Sequence, residues 1–249
     1  MDLRGPVRVG VVGVGSMGQN HARVYSEIAE LVGVVDADPE TAKRVAARLE
    51  CEAFPDVKDL VRAGVEAASV AVPTHYHRRV AMELIEAGVP ILVEKPLATS
   101  LKEAREIVES ADEAGLTLAA GHIERHNPVV AFAKSALEAG AFGDLVTASA
   151  RRVSSFPTRI RDVGVIMDLG IHDVDVLRYI VGEDVESVYA SGGRRLHEKF
   201  EDHATIVLNF ANGVTGFVEV SWLTPMRVRK FALTCSKNFV EADYTEQSV

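Results

Sequence analysis

Val7-Arg8-Val9-Gly10-Val11-Val12-Gly13-Val14-Gly15-Ser16-Met17-Gly18 decides the fold of this chain. Val7–Val12 is mostly apolar and β-branched and reads as a buried strand. Gly13-x-Gly15-x-x-Gly18 follows at once and opens a helical pattern beginning at Met17. Gly13 permits the tight turn, Gly15 lets a diphosphate approach the backbone, and Gly18 allows close helix–strand packing. Ser16 and Met17 lie at the helix N-terminus, where amide donors and the positive dipole end attract an anion. Val32–Val35 reads as a second strand ending at Asp36, an acid in the place that accepts hydrogen bonds from adenosine ribose hydroxyls. Such an acid repels a 2′-phosphate and no Arg immediately follows it, so NAD is favoured over NADP. The same turn holding no ligand is the plainer alternative; strand, glycines, helix and acid in one order weigh against it.

The alternation continues. Helices are expected over Pro39–Leu49, Val57–Ala63, His75–Ala87 and Ser100–Ala114, and strands over Ala67–Val72, Ile91–Val93 and Leu116–Ala120. This predicts an α/β fold whose N-terminal part is a doubly wound parallel Rossmann sheet. After about residue 122 the pattern changes. Helices over Pro128–Ala139 and Ile171–Ile180 accompany strands over Leu145–Val153, Val185–Ser191, Ala204–Phe210, Thr215–Trp222, Arg229–Cys235 and Val240–Asp243, with Asn212-Gly213 as a hairpin turn. The expected domains are 1–122, binding the dinucleotide, and 123–249, an α+β domain with an open, mainly antiparallel sheet for substrate binding and oligomerisation.

The chain has 249 residues, 47% hydrophobic and 25% charged, with a formal net charge of −9. That charge argues against nucleic acid as a general partner, since such binding rests on phosphate neutralisation. No apolar run has the length of a membrane helix, and Met1–Pro6 carries no signal-peptide core. Cys51 and Cys235 lack metal or redox spacing, and a reducing cytoplasm is the simplest expectation.

Glu94-Lys95-Pro96 closes the apolar run Val89–Val93. A charged pair at the end of a buried strand is costly unless a ligand or partner needs it. Ligands of open α/β sheets bind outside those strand ends, which makes Lys95 a candidate to act on whatever the glycine loop holds. Together with Val72-Pro73-Thr74-His75-Tyr76-His77 and Asp168-Leu169-Gly170-Ile171-His172-Asp173, in that order along nearly the whole chain, these motifs resemble the glucose–fructose oxidoreductase/inositol dehydrogenase/rhizopine catabolism (Gfo/Idh/MocA) family. The resemblance implies a tightly bound nicotinamide cofactor and a sugar or polyol substrate. It also implies that Pro73, Thr74, His77, Glu94 and Lys95 line the nicotinamide pocket, and that His21 packs a helix rather than holding a ligand. His77 at the start of an exposed helix is the plainer alternative. His122-x-Glu124-Arg125-x-Asn127-Pro128 and Arg159-x-Arg161-Asp162 resemble the members that oxidise the 3-hydroxyl of UDP-N-acetylglucosamine or its uronic acid. Members usually run longer than this chain, which ends at Val249, so the expectation is either a fragment with a truncated C-terminal domain or a final segment absent by nature.

The resemblance sets Asp168 and His172 beside the nicotinamide and Lys95. Oxidising a secondary alcohol needs a base for the hydroxyl proton, which suits His172. Lys95 can stabilise the developing alkoxide, and Asp168 can hold the hydroxyl and orient His172. An exposed Asp168–His172 ion pair, or a metal held with Asp175, are the alternatives; no metal is expected, because hydride transfer to NAD needs none and no further ligand cluster is evident. Arg151, Arg152, Arg159 and Arg161 form a basic cluster suited to a diphosphate, with Arg125 and Asn127 as further substrate contacts. A solvated or salt-bridged set is the plainer reading. The expected function is an NAD-dependent dehydrogenase of a nucleotide sugar. An inositol or free-sugar dehydrogenase, an NAD-dependent glycosidase and a cofactor-dependent sugar sensor remain as rivals. The open sheet points to a homodimer or homotetramer.

Overall fold

The computed structural model of the protein describes residues 5–157 and 163–249. The chain divides into two units, Met1–Gly121 and His122–Val249. In the first, β1 (Arg8–Val12), β2 (Glu30–Val35), β3 (Glu52–Phe54), β4 (Ala67–Val70), β5 (Ile91–Val93) and β6 (Leu118–Ala120) form a sheet in the order β3-β2-β1-β4-β5-β6. All its pairings are parallel. The intervening helices are α1 (Ser16–Ile28), α2 (Pro39–Leu49), α3 (Val57–Arg62), α4 (His77–Glu86) and α5 (Leu101–Glu113). Clusters around Val11, Val34 and Val45, and around Val70, Leu84 and Ile107, bury the two faces. Burial on both faces is why these strands read as continuous apolar runs rather than alternating ones.

Side-chain caps start several of these helices. Asp38 accepts from Glu40 N, with Pro39 at the first turn, and Ser100 accepts from Glu103 N. Strand β3 is an addition to the expected elements; three residues before Pro55 are too short to show a period. A 3₁₀ turn, Thr74–Tyr76, precedes α4, so the expected single helix from His75 is two segments.

In the second unit, α6 (Pro128–Glu138) is followed by β7 (Leu145–Val153), α7 (Ile171–Val181), β8 (Val185–Gly193), β9 (His203–Phe210), β10 (Thr215–Ser221), β11 (Val228–Cys235) and β12 (Phe239–Asp243). The sheet order is β12-β11-β7-β10-β9-β8. Only the β7–β10 pairing is parallel; the others are antiparallel. Alternation sends Ala148, Ala150, Leu208, Val218, Val220, Phe231 and Leu233 into a core shared with Val130, Leu177 and Ile180. The opposite face carries Phe217, Thr205, Ser149, Arg151 and Lys230 around a shallow depression. The expected hairpin is present, with Asn212 Oδ1 accepting from Val214 N and Gly213 at φ +82°.

The helix carrying the Asp168–Asp175 segment starts earlier than expected and begins irregularly. Ile166–Gly170 forms a π turn running directly into α7, and the Ile171 amide reaches back five residues to the Ile166 carbonyl. Glu201 fixes its start: its carbonyl accepts from Val165 N at 2.9 Å and its Oε1 from Ile166 N at 3.1 Å. Gly182 at φ +76° ends α7 in the left-handed conformation.

Leu177 is fully buried between α7 and the sheet. Leu177→Ala is expected to lower unfolding free energy by about 2–5 kcal/mol, read from the urea midpoint.

Candidate active site

In the first unit the glycine loop follows β1. Gly13 has φ +86°, and a β-carbon there would lie 2.7 Å from the Ala71 carbonyl oxygen. A β-carbon on Gly18 would stand 1.8 Å from the Gly13 carbonyl oxygen, so α1 can sit this close to β1 only with glycine. Gly15 is different: a β-carbon there meets none of the described atoms within 4 Å. Gly15 is also the N-cap of α1, followed by Ser16 and the exposed Met17. Asp36, just past β2, accepts from Val14 N at 2.7 Å and from Asp38 N at 2.9 Å, bracing the loop from the side. An open cradle over Gly15, a helix N-terminus and an acid at the end of β2 fit a dinucleotide.

Glu94-Lys95-Pro96 leaves the end of β5, with a cis Lys95–Pro96 peptide and Lys95 partly buried. Glu94, expected to line the nicotinamide pocket, turns its carboxylate inward. It is 9% exposed; Oε1 lies 2.8 Å from His21 Nε2, and Oε2 accepts from the Lys95 amide at 3.2 Å. His77 is not the exposed helix start that was the plainer alternative. It is 1% exposed, with Nδ1 and Nε2 each 2.9 Å from a carbonyl oxygen, of Pro96 and Val72 respectively. It ties the Pro73-Thr74 loop to the turn after Lys95.

His21 was expected only to pack. Its ring instead bridges Glu94 and Ser69, with Nδ1 at 3.0 Å from Ser69 Oγ, which also bonds the Tyr25 hydroxyl at 2.7 Å. The sequence held a clue: Ser69 is the one polar residue of Ala67–Val70, the middle of a buried sheet. Burial pushes the Glu94 carboxyl up, but His21, and then the amide and charge of Lys95, outweigh it and hold the group below its ordinary value.

In the second unit Asp168 lies in the π turn and His172 in the first turn of α7, four residues on along one continuous helix. Both are half-buried. That spacing gives them a shared face. Among the described residues, no group of three or more His, Cys, Asp or Glu side chains is arranged to hold a metal ion.

The expected arginine cluster largely dissolves into internal ion pairs. Arg152 is 1% exposed; it grips the fully buried Asp173 through Nε and Nη2 and donates Nη1 to Glu124 at 2.7 Å. Burial opposes its charge, but Asp173 and Glu124 outweigh that and raise the guanidinium's pKa, while burial pushes Asp173 upward against the pull of Arg152. Arg151 pairs with Glu219 on the sheet face. Arg125, expected to touch substrate, makes a fork to Asp175, which also faces His122 at 3.5 Å. Asn127, expected beside it, caps α6 by accepting from Val129 N and donates to the Tyr244 carbonyl. Buried acids on α7 need cationic partners, which is why these side chains face inward. Arg159 and Arg161 lie outside the described residues.

Residues 7–122 match the Gfo/Idh/MocA oxidoreductase family, NAD-binding Rossmann fold, and residues 130–241 match its C-terminal domain. The UDP-N-acetylglucosamine 3-dehydrogenase of Acidithiobacillus ferrooxidans is 35% identical over 98% of this chain and 76% of its own length. Its crystal form in P21 superposes with a TM-score of 0.89, covering 96% of this chain and 77% of that one. Inositol 2-dehydrogenase 4 of Saccharopolyspora erythraea is 34% identical over 86% of this chain and 66% of its own length. The WlbA dehydrogenase of Bordetella pertussis, solved with NADH and UDP-GlcNAcA, is 29% identical with a TM-score of 0.87 over 95% of this chain and 73% of its own.

Glu94→Gln is expected to cost roughly 1–2 kcal/mol at neutral pH. A carboxyl held below its unfolded value stabilises above that value and loses its contribution as pH falls through the folded one. Melting temperatures of variant and wild type should therefore converge on acidification; a gap that stays constant would show that the charge of Glu94 is irrelevant.

Proposed function

Since the chain belongs to the Gfo/Idh/MocA family of NAD-dependent oxidoreductases, we propose that it oxidises a secondary hydroxyl of a nucleotide sugar, at C3 of a UDP-linked N-acetylhexosamine. The observation that carries this reading is the helix that holds Asp168 and His172 on a shared face, in a chain 35% identical over 98% of its length to a UDP-N-acetylglucosamine 3-dehydrogenase. The first unit binds the dinucleotide, and the second supplies the substrate groups and the face for self-association. NAD, when bound, accepts the hydride. His172 takes the hydroxyl proton, Lys95 donates to the same oxygen and stabilises its developing charge, and Asp168 holds the hydroxyl and orients His172. Arg125, Arg151 and Arg152 are engaged by acids of the protein, so in this reading the diphosphate is met by Arg159 and Arg161.

The curated inositol 2-dehydrogenases at 34% identity favour a second reading, in which the substrate is a free cyclitol. NADH absorbance after mixing with UDP-N-acetylglucosamine, its uronic acid or myo-inositol separates the two. His172→Ala is expected to lower kcat by about 10²- to 10⁴-fold; turnover near wild type, with NAD still bound, would remove His172 as the base. Arg159→Ala is expected to raise KM for the nucleotide sugar about 10-fold, one lost charge-assisted contact, without changing that for NAD. An unchanged KM would take Arg159 out of the substrate site.

A further inference from the structure

We propose that His21 is a positioning residue for Lys95, acting through Glu94, and that the chain Tyr25–Ser69–His21–Glu94 sets where the Lys95 side chain stands. The inference rests on the role given to Lys95 above. His21 lies in the first turns of α1, beyond the glycine loop, yet its ring reaches the end of β5. Nε2 is 2.8 Å from Glu94 Oε1, and Nδ1 is 3.0 Å from the fully buried Ser69 hydroxyl, itself 2.7 Å from the Tyr25 hydroxyl. Tyr25 sits one turn further along α1 and meets the His21 ring edge-on.

The Glu94 carboxylate is confined on its other sides. Oε2 takes the Lys95 amide, and Gly121 approaches so closely that a β-carbon there would stand 3.1 Å from the carboxylate. A buried carboxylate that loses a donor must find another or take up a proton. The adjacent cation is Lys95, whose charge already acts on Glu94. With His21 absent, Glu94 either turns toward the Lys95 ammonium and draws it aside, or becomes neutral and withdraws its field from it. Both outcomes move the group that should face the substrate oxygen. Because His21 belongs to the helix that caps the dinucleotide cradle, one rigid element fixes both the cradle and, through Glu94, the lysine.

Four variants test this in the full chain: His21→Leu, His21→Gln, Ser69→Ala and Lys95→Arg. Lysines are dimethylated with ¹³C, and the Lys95 resonance is assigned by its absence in Lys95→Arg. In His21→Leu that resonance should move at fixed neutral pH; in His21→Gln, which retains a donor for Glu94, it should return toward wild type. With a sugar substrate, kcat of His21→Leu should fall about 10- to 100-fold, the scale of a misplaced reacting group, while NADH affinity measured by fluorescence is unchanged. If His21→Leu does not fold by circular dichroism, Ser69→Ala, which frees Nδ1, should move the resonance in the same direction. A Lys95 resonance unmoved in a folded His21→Leu, or in Ser69→Ala where His21→Leu does not fold, overturns the proposal. The resonance needs no substrate, so it decides on His21 even where no sugar is turned over; wild-type turnover in Lys95→Arg would instead count against the role of Lys95 itself.

Discussion

The contact between Gly18 and the Gly13 carbonyl governs how the first unit is laid out. With no room for a β-carbon, the first turn of α1 is pressed against the end of β1. That closeness turns the helix N-terminus into the wall of an anion cradle over Gly15. It also brings His21, in the same turns of α1, within reach of Ser69 on β4 and Glu94 at the end of β5. One steric constraint thus fixes two pieces of polar geometry that are far apart in sequence.

Both units set ionised carboxylates in poorly solvated places and satisfy them locally. Glu94 has His21 and the Lys95 amide; Asp173 has the Arg152 fork; Asp175 has Arg125; Asp202 accepts the amides of Arg195, Leu196 and His197. Burial raises the Asp202 carboxyl, but His203 and those amides outweigh it and hold the group well below the carboxylate range. Groups satisfied in this way have one favourable arrangement rather than several, because a buried charge without its partner costs several kcal/mol. Two of these acids directly flank the residues singled out from the sequence: Glu94 precedes Lys95 and Asp173 follows His172.

Local chemistry made much of the fold legible. The glycine spacing, the Asp38-Pro39 start of α2, Ser100 before α5 and Asn212-Gly213 each carry their reason within a few residues. What could not be read was set by distant partners. Arg152 looks like a ligand arginine until Asp173, 21 residues away, is seen against it. Arg125 and Asn127 look available until Asp175 and the Tyr244 carbonyl are placed beside them. The burial of His77 was not legible, because the carbonyls of Val72 and Pro96, which enclose it, carry no signature in sequence. The position of β7 between β10 and β11 was likewise hidden, since pairing across the sheet leaves no periodic trace. Lys95 stood out by its place at a strand end, the Asp168–His172 pair came from motif resemblance, and only the structure brought His21 to Glu94.

The π turn at Ile166–Gly170 has a consequence for how this protein can diverge. It contains one residue more than an α-helical register requires. Deleting a single residue there would let the helix relax to regular α form while Val176, Leu177 and Ile180 of α7 kept their places in the core. Everything upstream of the deletion would then rotate by about 100° relative to everything downstream. A deletion before Asp168 would keep the Asp168–His172 spacing at four, and one between them would make it three, which still shares a helix face. A one-codon loss in this segment is thus a short evolutionary route to a domain in which the Glu201-anchored start of this helix turns a different side to its neighbours.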